Sequence, residues 1–277
     1  MLVVTITSDW GNNSYYFPVL KGKLYSLFDL RNGGGVCKSD VVVDVISNSI
    51  DPFNIVQGCF VLKNSYLNYP SGSIHLMGVN SNLKDGVEMV AVNFNGHWII
   101  APNDGRFSLI VGAENMDNGL KCYKIPLSEG GDSFNSINQY VKGVDLILKG
   151  GVYSELDACD LKVSGGGLPT MLNDRIIGKI MYVDTYGNAI SNISKELFIK
   201  LYKMWISQNG KGPYLTIYVN GPQLRMQNIF NNYCDVNEGE SLAIFNSLGL
   251  LEFAINKGNF SKIEGVEVNN EVMIKLY

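Results

Sequence analysis

The chain has 277 residues, of which 46% are hydrophobic and 11% aromatic, with a formal net charge of −4. That length suits roughly two domains with separate cores, and a negative balance without any Lys/Arg run excludes a nucleic-acid scaffold. No apolar stretch approaches the roughly 18 residues of a membrane span, so no membrane partner is expected. The chain opens directly on a strand, without the charged-then-apolar layout of a signal peptide, and a cytoplasmic location is expected. Cys37, Cys59, Cys122, Cys159 and Cys234 are odd in number and scattered. They read as reduced, mostly buried thiols rather than a disulfide frame. With only His75 and His97, both on predicted strands, no metal site and no cofactor are expected.

The first strand is predicted over Leu2–Ile6 and stops abruptly at Ser8-Asp9-Trp10-Gly11. In an open α/β sheet, ligands bind just beyond the carboxyl ends of strands, which places Asp9 and Trp10 at a candidate site. Asp9 can accept hydrogen bonds from a ribose diol, each worth roughly 1.5–3 kcal/mol to a charged acceptor. Trp10 can lie against a sugar or base. The alternative is that Ser8 and Asp9 cap the next helix. That helix is expected over Tyr15–Leu27, where Phe17, Leu20, Leu24 and Leu27 share one face. Gly33-Gly34-Gly35 reads as a loop, not a dinucleotide fingerprint.

Val41–Ile46 is a second buried strand, after which Asp51 as N-cap and Pro52 at the first position open a helix. Ile55, Cys59, Leu62 and Tyr66 give that helix its stripe. A third strand, Ser73–Val79, runs into Asn80-Ser81-Asn82. Met89–Asn93 and His97–Ala101 form a hairpin about Asn95-Gly96, closed by Pro102–Gly105. Lys121–Pro126 is a strand, and a short helix carrying Tyr140, Val144, Ile147 and Leu148 ends at Gly150-Gly151.

Alternating strands and helices predict an α/β domain over 1–164, with a central sheet flanked by helices. A glycine-rich linker spans 165–174. Short strands over 175–277 predict an all-β barrel domain, with Ser194–Trp205 its one helix.

Asp184-Thr185-Tyr186-Gly187-Asn188, followed by Ile190-Ser191-Asn192, resembles a signature of the S-adenosylmethionine hydroxide adenosyltransferase family, which also contains the fluorinase and chlorinase. Thr7-Ser8-Asp9-Trp10-Gly11, Asp51-Pro52-Phe53-Asn54-Ile55, Tyr69–Leu76, Ile100–Gly105, Glu238-Gly239-Glu240 and Asn246–Gly249 match in order and spacing. The resemblance implies a homotrimer that takes S-adenosylmethionine as substrate or ligand between the N-domain of one subunit and the C-domain of its neighbour. Carried over by position, it implies Asp9 at the ribose diol and Phe53 along the sugar. It implies Asp184 at the methionine amino group, Tyr186, Asn188 and Tyr233 at adenine, and Ser247 at the methionine carboxylate.

The chain departs from the family where water would be activated. The family's acid falls on Asn80, and Asn82 is equally unable to take a proton. Its His-Arg segment reads Phe134-Asn135-Ser136-Ile137-Asn138, so Asn135 stands in the second catalytic position. Leu248 replaces the arginine that would follow Ser247. Asp85 or Glu88 is a candidate replacement carboxylate. Removing a general base typically lowers a rate by about 10²–10⁴-fold. The leading expectation is binding of S-adenosylmethionine or a related adenosine compound, with water attack at C5′ where turnover occurs. The alternatives are a non-catalytic adenosine-binding or sensing protein and a halide-using adenosyltransferase with Ser81 and Ser136 as anion donors.

Overall fold

The computed structural model describes residues 1–30, 41–83, 86–116, 120–127, 135–152, 156–164 and 168–277. The expectations for Gly33–Gly35, Cys37, Asp85, Phe134 and Gly165–Gly167 fall outside them. The chain divides into two units, Met1–Ser164 and Gly165–Tyr277.

In the first unit, β1 (Leu2–Ser8), β2 (Val41–Ser47), β3 (Ile74–Gly78), β4 (Met89–Phe94), β5 (His97–Pro102), β6 (Cys122–Lys124) and β7 (Ala158–Cys159) form one sheet. Its order is β2-β1-β3-β5-β4-β6-β7. The first four strands in that order are parallel and the remaining pairs antiparallel. β1 is buried along nearly its whole length because helices cover both faces, which is why it reads as a continuous apolar run. On one face, α1 (Tyr16–Leu30) and α5 (Ser136–Lys149) bring Leu20, Leu24, Tyr140 and Val144 onto Val4, Ile6, Ile74 and Leu76. On the other, α2 (Ile55–Lys63) and α3 (Arg106–Val111) bring Cys59, Leu62, Phe107 and Ile110 onto Met77, Val79 and Ile99. A short α4 (Ala113–Met116) follows α3. At the Asn95-Gly96 hairpin both residues have positive φ, 51° and 78°, the geometry that this dipeptide favours.

Four local expectations are corrected. Ser8 and Asp9 do not cap α1, which begins at Tyr16; the Ser14 hydroxyl accepts from the Tyr16 N–H at 3.2 Å. Asp51 does not cap α2. Phe53 takes a left-handed φ of 65°, which ends the turn begun at Asp51, and Asn54 becomes the cap by accepting from the Gln57 N–H at 3.0 Å. The Pro102–Gly105 segment leads into α3 through Gly105 at φ 100°. Finally, Cys122 and Cys159 are a disulfide rather than two thiols. They are opposite partners in the β6–β7 ladder, with Cα atoms 5.2 Å apart, although 37 residues separate them in sequence. Cys59 is a buried free thiol whose pKa is pushed up to about 12 by its burial, and Cys234 is an exposed one.

In the second unit, β8 (Thr170–Met171), β9 (Arg175–Val183), β10 (Ala189–Ser194), β11 (Leu215–Val219), β12 (Leu224–Met226), β13 (Ser241–Phe245), β14 (Leu250–Ile255) and β15 (Glu271–Leu276) form an antiparallel sheet. Its order is β12-β11-β15-β9-β10-β14-β13, with β8 on β9. Beyond β12 the chain returns to the far edge, where the Phe230 N–H donates to the Ala243 carbonyl at 2.8 Å. That contact nearly closes the barrel around Ile176, Ile180, Ile217, Phe253 and Ile274. α6 (Lys195–Asn209) is the expected helix, with the Ser194 hydroxyl accepting from the Leu197 N–H at 3.2 Å and Gly210 as a left-handed C-cap. α7 (Phe260–Glu264) is capped by Asn259, which accepts from the Lys262 N–H at 2.8 Å. Among the described residues no helix is long and apolar enough to cross a membrane.

Candidate functional site

Asp9 sits one residue beyond β1, the strand that lies between its parallel neighbours β2 and β3. Its Oδ2 accepts the Phe53 N–H at 2.9 Å and the Asn80 N–H at 3.1 Å. One carboxylate therefore ties together the loops that follow both neighbouring strands. Both donors have left-handed backbones, with φ of 65° at Phe53 and 44° at Asn80, a region that costs an aromatic residue most and an asparagine less. Phe53 is also 73% exposed, an aromatic held out in solvent by a bond to an acid. Oδ1 meets no donor among the described residues and keeps its lone pairs open.

Neighbouring contacts stiffen this edge. The Ser8 hydroxyl donates to Asn48 Oδ1, while Asn48 Nδ2 donates to the Gly11 carbonyl at 2.9 Å. Trp10 packs inward, its ring 6.4 Å from Tyr140. A Cβ on Gly78 would come within 2.8 Å of the indole, so that strand end requires glycine. Trp10 thus packs against the strand ends while staying partly exposed beside Asp9.

Asn80 and Asn135, singled out in the sequence, lie around the end of β3 and the start of α5. Asn80 occupies the turn, and Asn135 immediately precedes α5. Their chain neighbours meet: the Ser81 and Ser136 hydroxyls are 3.3 Å apart, and both residues are 2% exposed. The Tyr140 hydroxyl donates to the Met77 carbonyl at 2.6 Å, and burial raises its ionisation above the ordinary phenol range. Glu88 forms an ion pair with Lys124 at 2.8 Å, with both side chains nearly half exposed.

In the second unit a cleft of about 750 Å³ is lined by Asp184, Tyr186, Asn188, Tyr233 and the Ile255–Asn259 turn. Four residues singled out in the sequence, up to 49 positions apart by their numbering, meet there. Asp184 builds its own loop: Oδ1 accepts the Tyr186 and Asn188 N–H groups, each at 2.9 Å, and Oδ2 accepts Asn188 Nδ2 at 3.1 Å. That leaves Asn188 Oδ1 as an acceptor and Tyr186, 77% exposed, as a face. Gly187, at φ 85°, lies so near Asn259 that a Cβ would come within 2.2 Å of its amide.

Tyr233 donates to Glu252 at 2.5 Å, and Glu252, only 3% exposed, also accepts Asn246 Nδ2 at 2.9 Å. Burial and the adjoining carboxylate raise the Tyr233 phenol. Asn246 Oδ1 in turn accepts from the Leu248 and Leu250 N–H groups, at 3.0 and 3.1 Å. Ser247 and Leu248 stand exposed on that turn, outside the cleft lining. Sequence reading missed Glu252, Asn259 and Arg106. Glu252 is the one charged residue in the otherwise apolar run of β14, and that setting is the local signal that could have marked it as buried.

Among the described residues no group of three or more His, Cys, Asp or Glu is placed to hold a metal ion.

The chain belongs to the SAM hydroxide adenosyltransferase family: the family's N-terminal domain matches residues 4–155 and its C-terminal domain residues 178–273. A relative from Methanocaldococcus jannaschii, named (R)-S-adenosyl-L-methionine hydrolase, is 24% identical over 98% of this chain and 95% of its own length. An uncharacterized conserved protein from Thermotoga maritima shares the fold with a TM-score of 0.75 and 22% identity, over 99% of this chain and 100% of its own. A conserved hypothetical protein from Thermus thermophilus does so with a TM-score of 0.70 and 18% identity, over 100% of both chains.

Proposed function

We propose that this protein binds S-adenosylmethionine or a related adenosine compound and hydrolyses the sulfonium to adenosine and methionine. The observation that supports this most is Asp9, a carboxylate at the strand ends with one oxygen fixed by two strained loops and the other open. A water oxygen forms a bond to C5′ while the C5′–S bond breaks, its electron pair neutralising the sulfonium, and the proton passes to solvent. The leaving group is already good, so the demand falls on alignment and exclusion of bulk water rather than on a strong acid. Asn80 can orient that water but cannot take its proton. A low rate therefore accompanies this site.

Asp9 and Phe53 supply the sugar contacts in this reading, and Asp184, Tyr186, Asn188 and Tyr233 the contacts to adenine and the amino-acid tail. The two sets come from different subunits of a homotrimer, which sedimentation tests as about three chains per particle. Incubation with S-adenosylmethionine followed by chromatography tests the reaction. Adenosine above background that disappears with Asp9→Ala supports it. Tight adenosine binding without any product favours a second reading, that of a binding or sensing protein, which the amide at Asn80 favours. The buried Ser81–Ser136 hydroxyl pair favours a third, halide attack, which added chloride or fluoride tests by 5′-halogenated product.

A further inference from the structure

Arg106 plays no part in the contacts assigned above, yet it is the most heavily engaged cation near them. Its side chain has no exposure to solvent, while Asp104 beside it retains 22%. Nε and Nη2 donate to Asp104 Oδ1 and Oδ2 at 2.8 and 2.7 Å. The remaining bonds leave the pair: Nη1 donates to the Val79 carbonyl at 2.8 Å and Nη2 to the Asn80 carbonyl at 3.4 Å. Burial works against the guanidinium charge, but the hydrogen bonds and charge of Asp104 outweigh it and keep the group protonated.

A buried cation is costly, and an apolar side chain of similar volume commonly serves stability as well or better. What an apolar side chain does not supply is a donor for the two carbonyls of the turn that carries Asn80. Asn80 is gripped on both sides: its N–H by Asp9 and its C=O by Arg106. That grip opposes the strain of its left-handed φ of 44°. Without Arg106, the buried Val79 carbonyl and the part-buried Asn80 carbonyl lose a donor, and Asn80 is free to relax toward a right-handed or extended backbone. Its N–H then swings away from Asp9, whose carboxylate is left with the Phe53 N–H alone.

We infer that Arg106 is a positioning residue for the nucleoside site: through the Asn80 peptide it fixes the direction in which Asp9 Oδ1 meets a ribose hydroxyl. This rests on the proposed reading of Asp9 as the ribose contact. Asp104 shares the role by locking the guanidinium plane, which a lysine ammonium cannot reproduce.

The test is calorimetric titration of the full chain with adenosine and with 2′,3′-dideoxyadenosine, which lacks the hydroxyls. Arg106→Met is expected to weaken adenosine by about tenfold and the dideoxy compound by less than about twofold, with Arg106→Lys between Arg106→Met and the native chain. A residue that only stabilises the fold would weaken both ligands alike. Equal losses, or no loss, in either folded variant overturn the inference. Asp9→Ala separates the two levels. If it leaves adenosine affinity unchanged, the reading of the site fails. If it weakens adenosine while folded Arg106 variants do not, only the positioning role fails. Amide exchange in the native protein gives an answer that needs no variant. The Asn80 N–H is expected to exchange as slowly as those of β3, and exchange at loop rates overturns the inference.

Discussion

The two candidate regions are built in opposite ways. In the first unit the edge at the strand ends is held by long-range contacts: Asp9 reaches Phe53 and Asn80, 44 and 71 residues away. Arg106 grips the same turn from 26 to 27 residues on. In the second, Asp184 shapes its loop through residues two and four positions along, and Gly187 lets that loop touch the next turn. A site made of long-range contacts is cooperative, so a single loss there propagates into loops that share no sequence. A loop closed by its own short-range bonds, as at Asp184, localises its losses even though the cleft it lines is assembled from distant turns. The contrast can be broken or sharpened at several points.

The largest effect is expected from the staple of the first unit. Replacing Cys122 and Cys159 together by serine removes a closed loop of 37 residues and is expected to cost about 3–4 kcal/mol. Denaturant melts with hydrogen exchange should place that loss in residues 1–164. An equal loss in residues 165–277 would contradict a stabilisation that the disulfide confines to its own unit. Next comes Gly187→Ala, which forces a left-handed φ on a Cβ and drives it into Asn259, for about 2–3 kcal/mol. Its exchange signature should stay within the turns around Asp184 and Asn259, and spread through the barrel would contradict the local reading.

A third test uses pH. His75 is enclosed by Thr5 at 2.7 Å, His97 at 3.1 Å and the rings of Tyr66 and Tyr69, the latter bonded to Asp44. Burial, with the neighbouring His97, lowers its pKa to about 4, and burial lowers that of His97 too. A folded pKa below that of the unfolded chain means that unfolding takes up protons. The native state is therefore favoured above about pH 6.5 and loses stability as pH falls toward 4, by about 2 kcal/mol at pH 5 from His75 alone. His75→Gln should flatten that slope in urea midpoints measured across the range, and an unchanged slope would discount the pair. The smallest expected effect is Asn54→Ala at the head of α2, about 1 kcal/mol from one lost cap. Asp51→Ala should change stability by less, and the reverse order would restore Asp51 as the cap.

Much of the frame was legible in the sequence because its signals were local. A continuous apolar run marked β1, Asn95-Gly96 marked its hairpin, and Ser194 marked the start of α6, whereas β2, expected to be buried, is the sheet's edge strand with Val42 and Asp44 exposed. The family motif around Asp184 was legible for the same reason. What escaped depended on partners far along the chain. Arg106 reads as an ordinary surface cation until Val79 and Asn80 are placed over it. Cys122 and Cys159 read as separate thiols until β6 and β7 pair. Asp51-Pro52 reads as the cap, and the shift to Asn54 follows from the backbone of Phe53, which Asp9 helps to hold. Asp9 stood out by its place at a strand end, but its grip on two loops could not be foreseen from spacing.

The most direct measurement is calorimetric titration of adenosine into the native chain and into Asp9→Ala. The central claim is that this carboxylate, held by two strained loops, meets the nucleoside sugar. Saturable binding that weakens by at least about tenfold in the variant is the expected result, equivalent to one charged hydrogen bond. Binding of equal strength in a folded Asp9→Ala chain would contradict the claim.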